Sequence, residues 1–206
     1  MFERLIIEFD RGLRTILAPA RTSRPSPAET LPETALEPNE RARSAALMRV
    51  NHSGEVSAQA LYQGQAAVAR SAETRSTLRA ASIEEEDHLA WTERRIAELH
   101  GRKSALNPLW YAGSFAIGAL AGAFGDKPSY SFLAETERQV TQHLDEHLAR
   151  VPANDAKSRA ILFEMREDEA KHATTANTKG AMPLPAPIVF AMRMASKVMT
   201  RTSYWL

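Results

Sequence analysis

The 206 residues suit one domain with enough chain to bury a sizeable core, and 26 basic against 25 acidic side chains leave no nucleic-acid footprint. Cysteine is absent, which excludes disulfides, iron–sulfur clusters, thiolate zinc sites and cysteine nucleophiles, so any metal must be held by oxygen and imidazole. The apolar residues after Met1 are interrupted by Glu3, Arg4, Glu8, Asp10 and Arg11, unlike a secretory signal, and the expected setting is intracellular.

Residues 2–17 have the period of an amphipathic helix, with Phe2, Leu5, Ile6, Phe9, Leu13, Ile16 and Leu17 on one side. That side either docks on the core or meets a membrane surface or a partner. Residues 18–38 hold five of the eleven prolines and read as an extended or mobile linker. The division is therefore 1–38, a helix and Pro-rich linker, and 39–206, the main domain.

Asn39 is the expected N-cap of a long helix through about Arg70, which carries His52, Glu55 and Tyr62. His52 reads as a helix-surface residue, with a ligand or ligand-supporting role as the alternative. Tyr62, seven after Glu55, returns to the same face. Ser71 or Thr74 begins a second helix to about Leu99, with Gly101 as its C-cap. The uncharged run Ser104–Gly125 has the length of a membrane span, but Asn107-Pro108 breaks it early and much of it is Gly and Ala. It is expected to be a short apolar helix, packed or dipping into a bilayer surface, with Gly118 and Gly122 in a small-xxx-small pattern. Helices over about Ser129–Arg150 and Asp155–Asn177 follow. After Pro183, Pro185 and Pro187 comes a basic amphipathic helix to about Thr202, closed by Tyr204-Trp205-Leu206. It reads equally as a membrane-surface contact and as a packed terminal helix. No strand pattern and no phosphate-binding glycine motif occurs, so the fold class is all-α.

Two of these helices carry Glu-x-x-His: Glu85 with His88, and Glu169 with His172. An i,i+3 pair shares one helix face. One such pair alone is commonly a solvated coincidence. Here each follows an acid, Glu84 or Asp168, and each lies about one helical hairpin after another Glu, at 55 and 137. Glu137 shares its stripe with Val140, Thr141, Leu144 and Leu148, whereas Glu135 aligns with Arg138, Gln139, Gln142 and Glu146. The phase sends Glu137 inward and Glu135 to solvent. A carboxylate aimed at a core is costly unless paired or coordinated. The order Glu, Glu-x-x-His, Glu, Glu-x-x-His implies two helical hairpins facing each other as a four-helix bundle around a dinuclear metal site.

Four carboxylates and two neutral imidazoles neutralise two divalent ions, suit Fe or Mn, and leave open positions for O2. Asp168 and Glu84 have a second expected task, each accepting the free ring N–H of the opposite helix's histidine. The alternative is that both are simply exposed acids.

Asn51-His52-Ser53-Gly54-Glu55, Tyr62-x-Gly64-Gln65, Glu85-x-x-His88, the Glu137 to His143 segment, Asp168-Glu169-x-x-His172 and the closing basic helix together resemble the demethoxyubiquinone hydroxylases. This is a ferritin-like di-iron family of ubiquinone biosynthesis, and the likeness runs from about Asn39 to the C-terminus. It implies a ferritin-like four-helix bundle with additional apolar and amphipathic helices. It implies two iron ions on Glu55, Glu85, His88, Glu137, Glu169 and His172. The implied reaction is O2-dependent hydroxylation of 2-polyprenyl-3-methyl-6-methoxy-1,4-benzoquinol, by a protein bound peripherally to the cytoplasmic face of the inner membrane. Association with a second copy or with other ubiquinone-biosynthesis proteins stays open. His143, six after Glu137 and off its face, is assigned to a proton or electron path. Two rivals are weighed against this: a ferritin- or rubrerythrin-like iron-storage or peroxide-reducing protein, and a non-enzymatic membrane-associated helical scaffold with its glutamates exposed.

Overall fold

The computed structural model describes residues 2–206 and consists of helices and loops throughout. The order is α1 (Phe2–Leu17), α2 (Pro38–Val68), α3 (Ala72–Glu98), α4 (Asn107–Ala123), α5 (Asp126–Arg150), α6 (Ala156–Thr178) and α7 (Ala186–Trp205). The expected all-α class holds, and the helical arrangement is consistent with a ferritin-like bundle. The apolar side expected of α1 rests partly on Phe2, Leu5, Ile6 and Phe9, whose side chains lie outside the described residues.

Two hairpins, α2–α3 and α5–α6, face each other through α3 and α6. Each of the four helices contributes to two apolar clusters. One holds Met48, Trp91, Ile96, Leu144, Leu162 and Met165. The other holds Tyr62, Leu78, Tyr130, Leu133 and Ala176. Along every helix the Glu or Glu-x-x-His falls between the stretches that feed the two clusters, so the acidic residues sit in a layer enclosed by hydrocarbon.

Helix ends differ from expectation in physically legible ways. α2 starts earlier than Asn39: Pro38 occupies the first turn, where its fixed φ costs nothing, and Glu37 and Glu40 form a reciprocal capping box. At the end of α3 the left-handed residue is His100 (φ 57°), not Gly101. The His100 and Gly101 N–H groups donate to Ala97 and Ile96 at 3.0 and 2.8 Å, and a Cβ on Gly101 would lie 3.0 Å from that of Ala45. α5 begins at Asp126, with Pro128 in its first turn.

Residues 18–37, read as a linker, instead form a strap fastened along the bundle. Ser23 and Arg24 bond Asp87, Glu33 bonds the buried Arg95, and Ala28 and Leu36 are buried in or beside the first cluster. Proline richness reports an extended backbone, but not whether that backbone is docked.

The apolar run became α4, whose 17 residues span about 26 Å and which lies along α2. No helix among the described residues is long and apolar enough to cross a membrane. Asn107 and Pro108 start this helix rather than breaking it. Ser53 donates to Asn107 Oδ1 at 2.8 Å, and Asn107 Nδ2 donates to His52 Nδ1 at 3.2 Å. Backbone contact explains the glycines: a Cβ on Gly118 would lie 2.2 Å from the Leu61 carbonyl oxygen, and one on Gly64 2.2 Å from that of Phe115. Gly118→Ala is therefore expected to cost about 1–3 kcal/mol by overpacking. Gly113→Ala, which meets nothing within 4 Å, should be neutral or stabilising. Thermal unfolding of the two variants checks the contrast, and equal midpoints would contradict this packing.

Candidate metal centre

The bundle brings all six sequence-derived candidates together. Two overlapping groups have ligand atoms within 4.8 Å of one another: Glu55, Glu85, His88 and Glu169, and Glu85, Glu137, Glu169 and His172. Glu85 and Glu169 belong to both. Their two oxygens divide between the imidazoles. Glu85 Oε2 lies 3.2 Å from His88 Nδ1, and Glu85 Oε1 lies 3.5 Å from His172 Nδ1. Glu169 Oε1 lies 3.4 Å from His88 Nδ1, and Glu169 Oε2 lies 3.2 Å from His172 Nδ1. Glu85 and Glu169 thus stand between Glu55 and His88 at one end and Glu137 and His172 at the other.

The four glutamates are all within 3% of full burial, the reverse of what an exposed-glutamate scaffold requires. Neither oxygen of Glu137 has a hydrogen-bond partner, and Glu55 Oε2 and Glu85 Oε1 are also orphaned. Buried carboxylates without donors are expensive, and cations placed among them would satisfy those lone pairs. The donor set is hard oxygen plus imidazole, with no thiolate, and it fits a pair of divalent ions of the iron or manganese type.

Behind each imidazole stands an acid of the facing helix. His88 Nε2 is 3.2 Å from Asp168 Oδ2, and His172 Nε2 is 2.9 Å from Glu84 Oε2. With Nε2–H donated outward, each Nδ1 lone pair faces the carboxylate layer. The two acids differ. Asp168 is buried and pairs with Lys171 and Arg24, whereas the Glu84 side chain is 50% exposed.

Glu135 points away from this layer, bonded to Arg138 and Gln139. Its side chain is only 12% exposed, while Arg138, Gln142 and Glu146 of the same face are exposed as expected. His52 is buried rather than on the surface and lies outside both groups. Tyr62 sits in the second apolar cluster with an unpartnered hydroxyl.

Sequence reasoning missed a cavity of about 510 Å³ enclosed by α2, α4, α5 and α7. Glu55 is among its lining residues, with His143, Leu61, Trp110, Phe132 and Val140. Leu109, Ile117 and Val198 line it and are also exposed, so it opens between α4 and α7. The His143 ring lies 3.9 Å from that of His147, whose Nδ1 is 3.1 Å from Asn51 Oδ1. Burial draws the His143 pKa down to about 4, which keeps the ring neutral beside the cavity.

Without metal, the layer holds protons. Burial, reinforced by the Glu85 charge, raises Glu55 well above the ordinary carboxylate range, and burial with the Glu169 charge does the same to Glu137. For His172 burial acts downward, but the Glu169 hydrogen bond and the Glu85 and Glu169 charges lift it to about 10. His88 is likewise raised against burial by Asp168, Glu169, Glu55 and Glu85. A metal ion must displace these protons, so uptake is expected to release protons at neutral pH and to weaken as pH falls below about 10, where His172 takes up its proton. Calorimetric titration in buffers of different ionisation enthalpy checks this, and pH-independent uptake without proton release would contradict it.

Residues 42–203 match the family described as ubiquinone biosynthesis protein COQ7. The chain is 63% identical over 204 residues to a 3-demethoxyubiquinol 3-hydroxylase of Nitrosospira multiformis, covering 99% of this chain and 98% of the relative. It is 59% identical to the same-named protein of Nitrosomonas europaea, with the same coverage. Against that of Azoarcus sp. it is 57% identical over 99% of both chains.

Proposed function

The chain belongs to the family of ubiquinone biosynthesis protein COQ7, and from that premise we propose that it is an O2-dependent di-iron hydroxylase acting on 2-polyprenyl-3-methyl-6-methoxy-1,4-benzoquinol. The observation that carries this reading is an apolar cavity whose wall includes Glu55, a member of the buried carboxylate–imidazole layer. Residues 39–206 form the catalytic unit in this reading, and residues 1–38 are added to it.

Glu55, Glu85, His88, Glu137, Glu169 and His172 would hold two iron ions. Such a centre supplies O2 activation for hydroxylation of the quinol ring. The protein's own part is positional. The α2–α4 glycine contact fixes one cavity wall, and Leu61, Phe132 and Val140 exclude water from beside Glu55. His143, neutral and in ring contact with His147, adds a polar group to the cavity wall. A storage protein needs no such cavity, and a rubredoxin-type module needs cysteines that this chain lacks.

Glu169→Ala is expected to abolish quinol hydroxylation and to lower iron content, because it removes a carboxylate shared by both groups. Product formation by mass spectrometry, with a reductant supplied, and iron analysis test this. Full iron occupancy in Glu169→Ala would overturn the assignment, and Glu135→Gln is the near-silent control.

The substrate's isoprenoid tail calls for a lipid-facing mouth. The cavity rim carries exposed Leu109, Ile117 and Val198, and Leu120, Phe124 and Phe190 on α4 and α7 are exposed too. In this reading the protein attaches peripherally to the cytoplasmic face of the inner membrane, and the exposed apolar rim supports such attachment, with Arg193, Lys197 and Arg201 adding attraction to anionic lipid. Leu120 and Phe124 do not line the cavity, so Leu120→Glu with Phe124→Glu separates membrane contact from chemistry. Liposome flotation and turnover of a long-tailed quinol should fall, while turnover of a short soluble analogue is retained. Equal losses on both substrates would contradict a membrane role for this face.

A further inference from the structure

The two ends of the carboxylate–imidazole layer are not supported alike. Behind His172 stands half-exposed Glu84. Behind His88, Asp168 is almost fully buried and is met by Arg24, a residue of the N-terminal strap rather than of the bundle. The Arg24 Nη2 lies 2.9 Å from Asp168 Oδ2, an ionic contact rather than an aligned hydrogen bond. That is the oxygen 3.2 Å from His88 Nε2. The same guanidinium donates from Nε to Asp87 Oδ2 at 2.8 Å. Asp87 in turn accepts the Ser23 N–H at 2.6 Å and the Thr22 hydroxyl at 2.9 Å.

A second route reaches the same histidine. The Arg24 guanidinium sits 4.9 Å from the centre of the Trp91 ring, and Trp91 Nε1 donates to the Arg24 carbonyl at 3.4 Å. The Trp91 ring in turn packs 5.4 Å from the His88 ring. Arg24 therefore touches both residues, Asp168 and Trp91, that fix the orientation of the His88 imidazole. A planar fork that bridges two acids and stacks on an aromatic face is a task lysine cannot reproduce in full.

We propose that Arg24 is a positioning residue for the metal centre. By clamping Asp168 and Trp91 against His88, it makes the His88 end of the site the tighter of two inequivalent metal positions. The strap is then part of the site's support rather than a connector. With Arg24 removed, Asp168 keeps Lys171 on Oδ1 but loses the cation at Oδ2, the oxygen that faces His88, and a partner behind a ligating histidine typically contributes 10–100-fold to metal affinity. This inference rests on the dinuclear reading of the site.

The test is anaerobic titration of the full-length protein with Co2+, followed by its visible absorption, on wild type, Arg24→Gln, Arg24→Lys and Glu33→Gln. Glu33 anchors the other end of the strap on Arg95 and Lys157, so its variant reports strap loosening alone. Wild type should load in two distinguishable steps. Arg24→Gln should weaken one step by about tenfold and alter its absorption, leaving the other step in place. Arg24→Lys should fall between, and Glu33→Gln should match wild type. An unchanged Arg24→Gln titration, equal weakening of both steps, or the same loss in Glu33→Gln would overturn the role of Arg24. Uptake of fewer than two ions by the wild type would instead overturn the dinuclear reading beneath it.

Discussion

Four buried carboxylates in one layer are the constraint on which this molecule is built. Glu55, Glu85, Glu137 and Glu169 bring negative charge into a space bounded above and below by hydrocarbon. In such surroundings an uncompensated charge costs roughly 3–5 kcal/mol. The two histidines offset part of this, and protons on Glu55 and Glu137 offset more, but the orphaned oxygens of Glu137 show that side chains alone do not close the account. Two divalent cations placed in the layer would do so. The helix order and the hairpin pairing serve to hold this layer in register.

Around the layer the chain places two different kinds of support. Acids on facing helices, Asp168 and Glu84, orient the imidazoles from behind. Helix α4 packs so closely on α2 that glycine is required at 64 and 118, and this packing shapes one wall of the apolar cavity at Glu55. Cavity and layer share α2, and Glu55 belongs to both.

Much of this was legible in the residues. Phase alone separated Glu137 from Glu135, because an apolar stripe at helical spacing marks the buried face. The repeated Glu-x-x-His spacing specified which helices must face each other, and the acid before each Glu foreshadowed its contact with the opposite histidine. What could not be read depended on tertiary contact. Asp87 looked like one more acid in a run of four until Arg24 was seen to bond it, and Arg24 looked like part of a linker. His52 on α2 was taken for a surface residue because its partner, Asn107, comes from a helix 55 positions later in the chain. His100 adopts the left-handed turn beside an available glycine because Gly101 is needed where the chain packs on Ala45. The cavity has no local signature, since its lining comes from four helices.

The central claim is that the layer holds two metal ions bridged by Glu85 and Glu169. Its most direct test is a crystal of the iron-loaded protein measured at the iron absorption edge. Two anomalous peaks about 3.5–4 Å apart, between those two carboxylates, are the expected result. A single peak, or iron bound away from Glu85 and Glu169, would contradict it.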